Sequence, residues 1–408
     1  MSKKRVIAIF SGNRAEYGLQ FPILQAVKNH PDLEYKLIVS GAHLDKNFGS
    51  TISEIKNDGF EIYAEVEIEM AGDTRTSTSL AIASGINNLT PVLDKLNPDV
   101  FLVYADRFEG LAAVITSTQM NIPTAHVEGG DITEGGALDD SVRHAMSKLA
   151  HLHYTTNEQA TNRILAMGED PWRVHTVGFP AIDLIKEGSF ENPENIVNKL
   201  KLDTNKPLVL FTQHSVTTEC EDGELQLIPS INALIKLANE GVQVILTYPN
   251  NDAGGQSITK VLNRTSELKN ENIQLHTSLG RYLYHGILGL AKTSTWRVAC
   301  VGNSSSGIKE TPVFGCPTVN IGTRQQGRLR GSNVIDANYD EEDIYQAIKK
   351  CLYDEDFRLA CRNTINPYGG GNAGDLIASS LANVDLNPKN ILRKGMNLLG
   401  ENKNGWFR

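Results

Sequence analysis

The sequence predicts an α/β protein of two doubly wound, Rossmann-like domains in tandem, and three observations predict it. Apolar runs of strand length alternate with segments of helical spacing in both halves of the chain. Such alternation argues a parallel sheet covered by helices on both faces. The chain is also long, 408 residues, beyond the size at which one hydrophobic core usually keeps growing. A polar stretch from Glu187 to Lys206 separates the two series.

In order, Arg5 to Phe10 reads as the first strand. A helix through Phe21, Leu24 and Val27 follows, then a strand from Tyr35 to Val39. Val100 to Tyr104, introduced by the turn Asn97-Pro98-Asp99, and Ile122 to Val127 read as buried strands. The second series has strands at Leu208 to Phe211, Val242 to Thr247, Val298 to Val301 and Thr318 to Ile321, with helical spacing at Leu227, Ile231, Leu234, Ile235 and Leu237 between them. Ile344, Ala347, Ile348 and Cys351 keep helical spacing, and Pro367-Tyr368-Gly369-Gly370-Gly371 breaks it before a last amphipathic segment. The expected domains are residues 1–187 and 188–375, with 376–408 packing back on the first.

Composition excludes several classes. A net charge of -9 argues against a duplex-binding surface. The five cysteines are odd in number and include no C-x-x-C pair, which fits reduced thiols. The apolar run after the basic start is too short for a signal peptide, and no stretch approaches bilayer length, so a cytoplasmic protein without membrane partners is expected.

Ligands of open parallel sheets sit beyond the carboxyl ends of the strands, so chemistry is sought in the loops there. The first loop, Ser11 to Tyr17, lacks a dinucleotide fingerprint but carries Arg14 at a helix start, where an anion could bind. Asp106 follows the Val100 strand, as helix N-cap or as a reactive carboxylate, with Arg107 beside it. His126 and Glu128 end the next strand; two apart, they should share a face, and Gly129-Gly130 removes bulk beside them. Of Asp139 and Asp140, one is expected to be the N-cap and the other, taken as Asp139, to face the cleft, with Arg143 a turn further on. Three carboxylates and an imidazole form the layout an acid and base pair needs. His151 and His153 are two apart rather than four and lack the spacing of a helical zinc site with His144, so no metal is expected.

In the second half His214 follows a buried strand among hydroxyls, and Asn250 ends another. Gly302 to Glu310 places small and hydroxyl residues, among them Ser304, Ser305 and Gly307, between a strand and a helix, the context of a phosphate cradle. Glu310 could accept from both ribose hydroxyls, and Arg324 and Arg328 could complete the anion site.

The loop Gly12 to Tyr17, Asp106-Arg107-Phe108, His126 to Asp131, Asp139 to His151, His214 to Glu219 and Gly302 to Gly307 together resemble the hydrolysing UDP-N-acetylglucosamine 2-epimerases of sialic acid synthesis and their legionaminic acid counterparts, over nearly the whole chain. The resemblance implies the glycosyltransferase B and glycogen phosphorylase fold with an active site between the domains. It puts catalytic positions on Asp106, Glu128 and Asp139 with His126 nearby, and nucleotide positions on Arg14, His214, Asn250, Ser304, Ser305, Glu310 and Arg324. It implies a UDP-sugar substrate, no nicotinamide or other cofactor, and a homodimer or homotetramer. The implied chemistry is anti elimination to a 2-acetamidoglucal followed by hydration, with Asp106 and Glu128 moving protons and Asp139 positioning or protonating. Two departures bear on sugar specificity: Ser215 stands where many relatives have Pro, and the loop from Asp131 to Leu138 is slightly longer. A non-hydrolysing epimerase, a hydrolysing enzyme for a UDP- or GDP-linked 2,4-diacetamido-2,4,6-trideoxy sugar and a non-catalytic sugar sensor are the rival readings.

Overall fold

The computed structural model describes residues 3–44, 52–68, 75–133, 138–249, 255–293 and 295–397. The chain divides into two units, the first made of Met1–Asp131, Leu138–Asp183 and Tyr368–Arg408, the second of Ile132–Ala137 and Leu184–Pro367.

The first unit holds a seven-stranded sheet, from β1 (Arg5–Ser11), β2 (Leu33–Ser40) and β3 (Ile62–Val66) through β4 (Val100–Tyr104), β5 (Thr124–Val127), β6 (Leu152–Thr155) and β7 (Val174–Thr176). The order is β3-β2-β1-β4-β5-β6-β7, parallel throughout. The second unit holds β8 (Leu208–Thr212), β9 (Gln243–Thr247), β10 (Ile273–His276), β11 (Val298–Gly302), β12 (Thr318–Ile321) and β13 (Val334–Ala337), ordered β10-β9-β8-β11-β12-β13 and again parallel. Each sheet is buried on both faces. Ile7, Ile9, Leu102 and Val127 pack one side of the first sheet while Ala8, Phe10, Phe101 and Val103 pack the other. Val209, Phe211 and Val301 in the second sheet face one core, Leu208, Leu210 and Cys300 the opposite one.

Strand order reverses between β1 and β4 in one sheet and between β8 and β11 in the other. These switch points are where loops leave in opposite directions and open a crevice at the carboxyl ends. Both therefore lie at loops already singled out by sequence.

The units divide at 183/184 and 367/368, where the sequence reading put 187/188 and 375/376. The cause is local. Asp183 accepts the first amides of helix Ala373–Asn383, from Ala373 at 3.0 Å and Gly374 at 2.7 Å, which ties the returning chain to the first unit. Ala373, Ile377 and Leu381 then join the core around Ile23, Leu24 and Val27 of helix Arg14–Asn29. A Cβ at Gly374 would sit 2.6 Å from the Pro22 carbonyl oxygen, so glycine sets how closely these helices approach. The stretch read as polar contains a helix, Pro193–Leu200, capped by Asn192 and burying Ile196 and Leu200. No helix among the described residues is long and apolar enough to cross a membrane.

Candidate active site

In the first unit Arg143 organises the carboxylates. It sits in helix Leu138–Leu149, is 3% exposed, and pairs through Nη2 with Asp106. Its Nη1 stands 4.0 Å from Asp131 and 3.5 Å from the Glu128 carbonyl oxygen. Burial works against its charge, but Asp106, Asp131 and Glu128 more than compensate and raise its pKa. Asp106 is thus an ion-pair partner and not the N-cap of the next helix, Phe108–Gln119; Arg107 occupies that cap.

Glu128 lies just past β5, at φ 64°, and not on the strand face with His126. Ala105, at the same place after β4, has φ 56°. A non-glycine residue in this left-handed region costs about 1–2 kcal/mol and recurs at functional turns. Here it ends the strand alternation that a period of two assumes. His126 is fully buried, with Nε2 2.7 Å from the Ala105 carbonyl oxygen and Nδ1 3.0 Å from Ser147 Oγ. Burial pushes its pKa down to about 3. Gly129 and Gly130 have a packing reason: a Cβ would meet Ser147 Oγ at 2.7 Å in the first case and the Ala160 carbonyl oxygen at 2.3 Å in the second. Asp139 and Asp140 both fall in the first turn of their helix rather than ahead of it, Asp139 exposed and Asp140 buried beside His144.

Two further carboxylates span the β1/β4 switch point. Asn13 caps helix Arg14–Asn29 by accepting from the Glu16 amide at 3.0 Å, and Glu16 reaches back to accept from Gly12 N at 2.9 Å, close to a capping box. Buried Glu109, after β4, packs against Gly12 and stands 3.5 Å from Arg107 Nε. Burial and then the Glu109 charge push Glu16 up to about 8, and burial raises Glu109 as well. The side chain of Arg14, like Asn250, lies outside the described residues.

In the second unit Asn303 ties the β8/β11 switch point together. Its Oδ1 accepts from His214 N at 2.7 Å and its Nδ2 donates to the His214 carbonyl oxygen at 2.8 Å. Its own carbonyl oxygen accepts from Arg324 Nη1 at 3.2 Å and Gln325 Nε2 at 2.9 Å. His214, Ser304, Ser305, Glu310 and Arg324 are all half-buried; His214 follows β8, Ser304 and Ser305 follow β11, Glu310 joins the two short helices after them, and Arg324 follows β12. The helix after Ser304 is a single turn, Ser306–Lys309, followed by a second turn, Thr311–Phe314. So short a helix sums few peptide dipoles, which leaves anion binding to hydroxyls and Arg324 more than to a macrodipole. Gly307 is not an open donor, because its amide is 3.1 Å from the Ser304 carbonyl oxygen and its α-carbon faces Thr318 of β12. Arg328 donates to the Ile132 carbonyl oxygen at 2.7 Å and Thr133 Oγ1 at 3.0 Å.

The sequence model of the UDP-N-acetylglucosamine 2-epimerases matches residues 25–382. The chain belongs to this family. Within the UDP-N-acetylglucosamine 2-epimerases it is similar to a GDP/UDP-N,N'-diacetylbacillosamine 2-epimerase (hydrolyzing) of Campylobacter jejuni, 34% identical over 347 residues that cover 85% of this chain and 87% of the relative. A UDP-N-acetylglucosamine 2-epimerase of Neisseria meningitidis serogroup B is 33% identical over 350 residues, with the same 85% and 87% coverage. The crystal structure of UDP-GlcNAc 2-epimerase from Neisseria meningitidis bound to UDP-GlcNAc superposes with a TM-score of 0.77 at 18% identity, covering 92% of this chain and 99% of that one. The fold is the glycosyltransferase B type of these epimerases.

For a 2-epimerase of this family the residues that sequence reasoning passed over are Asp131, Glu16, Glu109 and Asn303. Asp131 closes the quoted His126 to Asp131 motif, and its nearness to Arg143 had no sequence signal. Glu16 did have one, the Asn-x-x-Glu spacing of a capping box after the first strand. Among the described residues no three His, Cys, Asp or Glu side chains are grouped so as to hold a metal ion.

Proposed function

We propose that this epimerase is of the hydrolysing type and converts UDP-N-acetylglucosamine and water into N-acetylmannosamine and UDP. The observation that carries the reading is the group of carboxylates on buried Arg143, set at the ends of β4 and β5 in a chain of a 2-epimerase family. Loss of the C1 to oxygen bond sends the electron pair to the departing diphosphate, whose charge Arg324 and the Ser304 and Ser305 hydroxyls stabilise. The oxocarbenium-like sugar then loses its C2 proton to Asp106 or Glu128, giving 2-acetamidoglucal. Water adds at C1 while the other carboxylic acid delivers a proton to the opposite face of C2. In this reading Asp139, exposed on the first turn of its helix, orients the sugar or supplies a proton.

A second reading has an observation of its own. The Campylobacter relative and one from Legionella pneumophila, 31% identical over 96% of this chain, are both named as hydrolysing diacetylbacillosamine 2-epimerases. A 2,4-diacetamido-2,4,6-trideoxy sugar linked to UDP or GDP would undergo the same two steps. Proton NMR in deuterated water tests both. Free N-acetylmannosamine with deuterium at C2 supports the first reading, and UDP-N-acetylmannosamine would make the enzyme non-hydrolysing. Inertness toward UDP-N-acetylglucosamine with turnover of UDP-N,N'-diacetylbacillosamine would move the assignment to the second.

A further inference from the structure

Two consecutive residues of helix Gly280–Gly289 in the second unit reach the two functional ends of the Ser304 to Glu310 segment. Tyr284 Oη stands 2.7 Å from Ser306 Oγ, which is itself 3.1 Å from Ser304 Oγ. His285 Nε2 stands 2.8 Å from Glu310 Oε2. Ser306 and Glu310 are four apart and so lie on one face, one turn from each other. His285 is 2% exposed and packs its ring on Phe314, 5.8 Å between centroids. A carboxylate oxygen only accepts, so Nε2 carries a proton and donates it.

The helix that carries this pair is itself held close. A Cβ at Gly286 would meet the Glu191 carbonyl oxygen at 2.8 Å, and one at Gly289 would meet Phe190 at 3.2 Å. Backbone approach of this kind fixes where Tyr284 and His285 stand. A carboxylate whose one oxygen is held by a buried N–H presents the other in a set direction, without the ordering penalty that a free side chain meets on binding.

We propose that Tyr284 and His285 are positioning residues of the nucleotide site, His285 holding Glu310 toward the ribose hydroxyls and Tyr284 holding Ser306 and Ser304 toward the diphosphate. The proposal rests on the reading of this segment as a nucleoside diphosphate site and adds that its preference for a ribonucleotide is set by a residue that does not touch the ligand. His285→Phe keeps the ring against Phe314 and removes the donor, while His285→Gln restores an N–H near the position of Nε2.

Calorimetric titration of the full chain with UDP and with 2′-deoxy-UDP tests it. The wild type should prefer UDP. His285→Phe should weaken UDP by about tenfold, the upper end of one side-chain ordering term, and leave 2′-deoxy-UDP nearly unchanged, so that the preference collapses, as it should in Glu310→Gln. His285→Gln should recover most of it. Tyr284→Phe should weaken both ligands equally. Equal losses for both ligands in His285→Phe, or an unchanged preference, would overturn the positioning role while leaving the nucleotide site standing. A wild-type chain that bound neither ligand would overturn the site reading and this proposal with it.

Discussion

Nε2 of His126 lies 2.7 Å from the carbonyl oxygen of Ala105, and because a carbonyl only accepts, that nitrogen carries the ring proton. Burial keeps the ring neutral, with its pKa pushed down to about 3. We therefore infer that the ring takes no proton from substrate at neutral pH and instead ties the end of β5 to the left-handed residue Ala105, next to Asp106. His126→Gln, whose amide can donate to Ala105, should keep most activity, whereas His126→Leu should lose roughly 100-fold, the effect of a small misplacement of a reacting group. Neither should move the limbs of the pH-rate profile between pH 5 and 9. A limb that vanished in either variant would show that the imidazole titrates in the reaction.

Arg143 is buried with Asp106 on one side and Asp131 on the other. Removing one partner of a buried ion pair leaves charge unpaired and costs about 3–5 kcal/mol. Arg143→Met should therefore lose about that much stability in urea titration. Asp106→Asn should cost less stability and abolish turnover. Adding Asp106→Asn to Arg143→Met should restore part of the stability and none of the activity. Additive losses in the double variant would mean the two side chains are not energetically coupled in the folded chain.

The central strands were legible because burial on both faces writes them as unbroken apolar runs: Val100–Tyr104 and Thr318–Ile321 match the sequence reading residue for residue. The strands it passed over include β3, β7, β10 and β13, the edges of the two sheets, each partly exposed and therefore without such a run. Helix Pro193–Leu200 was lost for the same reason, since it buries little beyond Ile196 and Leu200. At the site, residues fixed by a motif next to a strand end could be named. Orientation could not, because positive φ at Ala105 and Glu128 breaks the alternation that periodicity assumes. The His285 to Glu310 contact was equally invisible: it joins a helix to a loop 25 residues away.

Glu16 sits at the β1/β4 switch point with its pKa raised from 4.5 to about 8, by burial first and the Glu109 carboxylate second. Between those values the folded chain holds a proton that the unfolded chain has released. The stability linked to that proton is fully present below pH about 4.5 and is lost as pH rises through about 8. Glu16→Gln, which keeps an acceptor for Gly12 N, should flatten this decline and be more stable than wild type at pH 9, by on the order of 2 kcal/mol. Melting temperatures from pH 5 to 9 read it directly. Parallel curves for the two proteins would mean Glu16 is already ionised at pH 7.

Lys394 closes the far end of the helix that carries Asp139 and Arg143. Its ammonium donates to the carbonyl oxygens of Lys148, at 2.6 Å, and Ala150, and pairs with Glu169 at 2.9 Å. A cation on the last carbonyls of a helix satisfies acceptors that have no partner within it and opposes the dipole. Arg173 holds the same returning segment through the carbonyl oxygens of Asn390, Ile391 and Arg393, each at 2.8 Å. Because Lys148 and His153 still face Glu169, Lys394→Met should cost roughly 2–3 kcal/mol rather than the full loss of a lone buried pair. Hydrogen exchange should accelerate in residues 388–397 and at the end of helix Leu138–Leu149, while amides of β8 and β11 in the second unit stay protected. Exchange that rose equally in both units would make Lys394 a contributor to global stability only and would sink its role as the anchor of this helix.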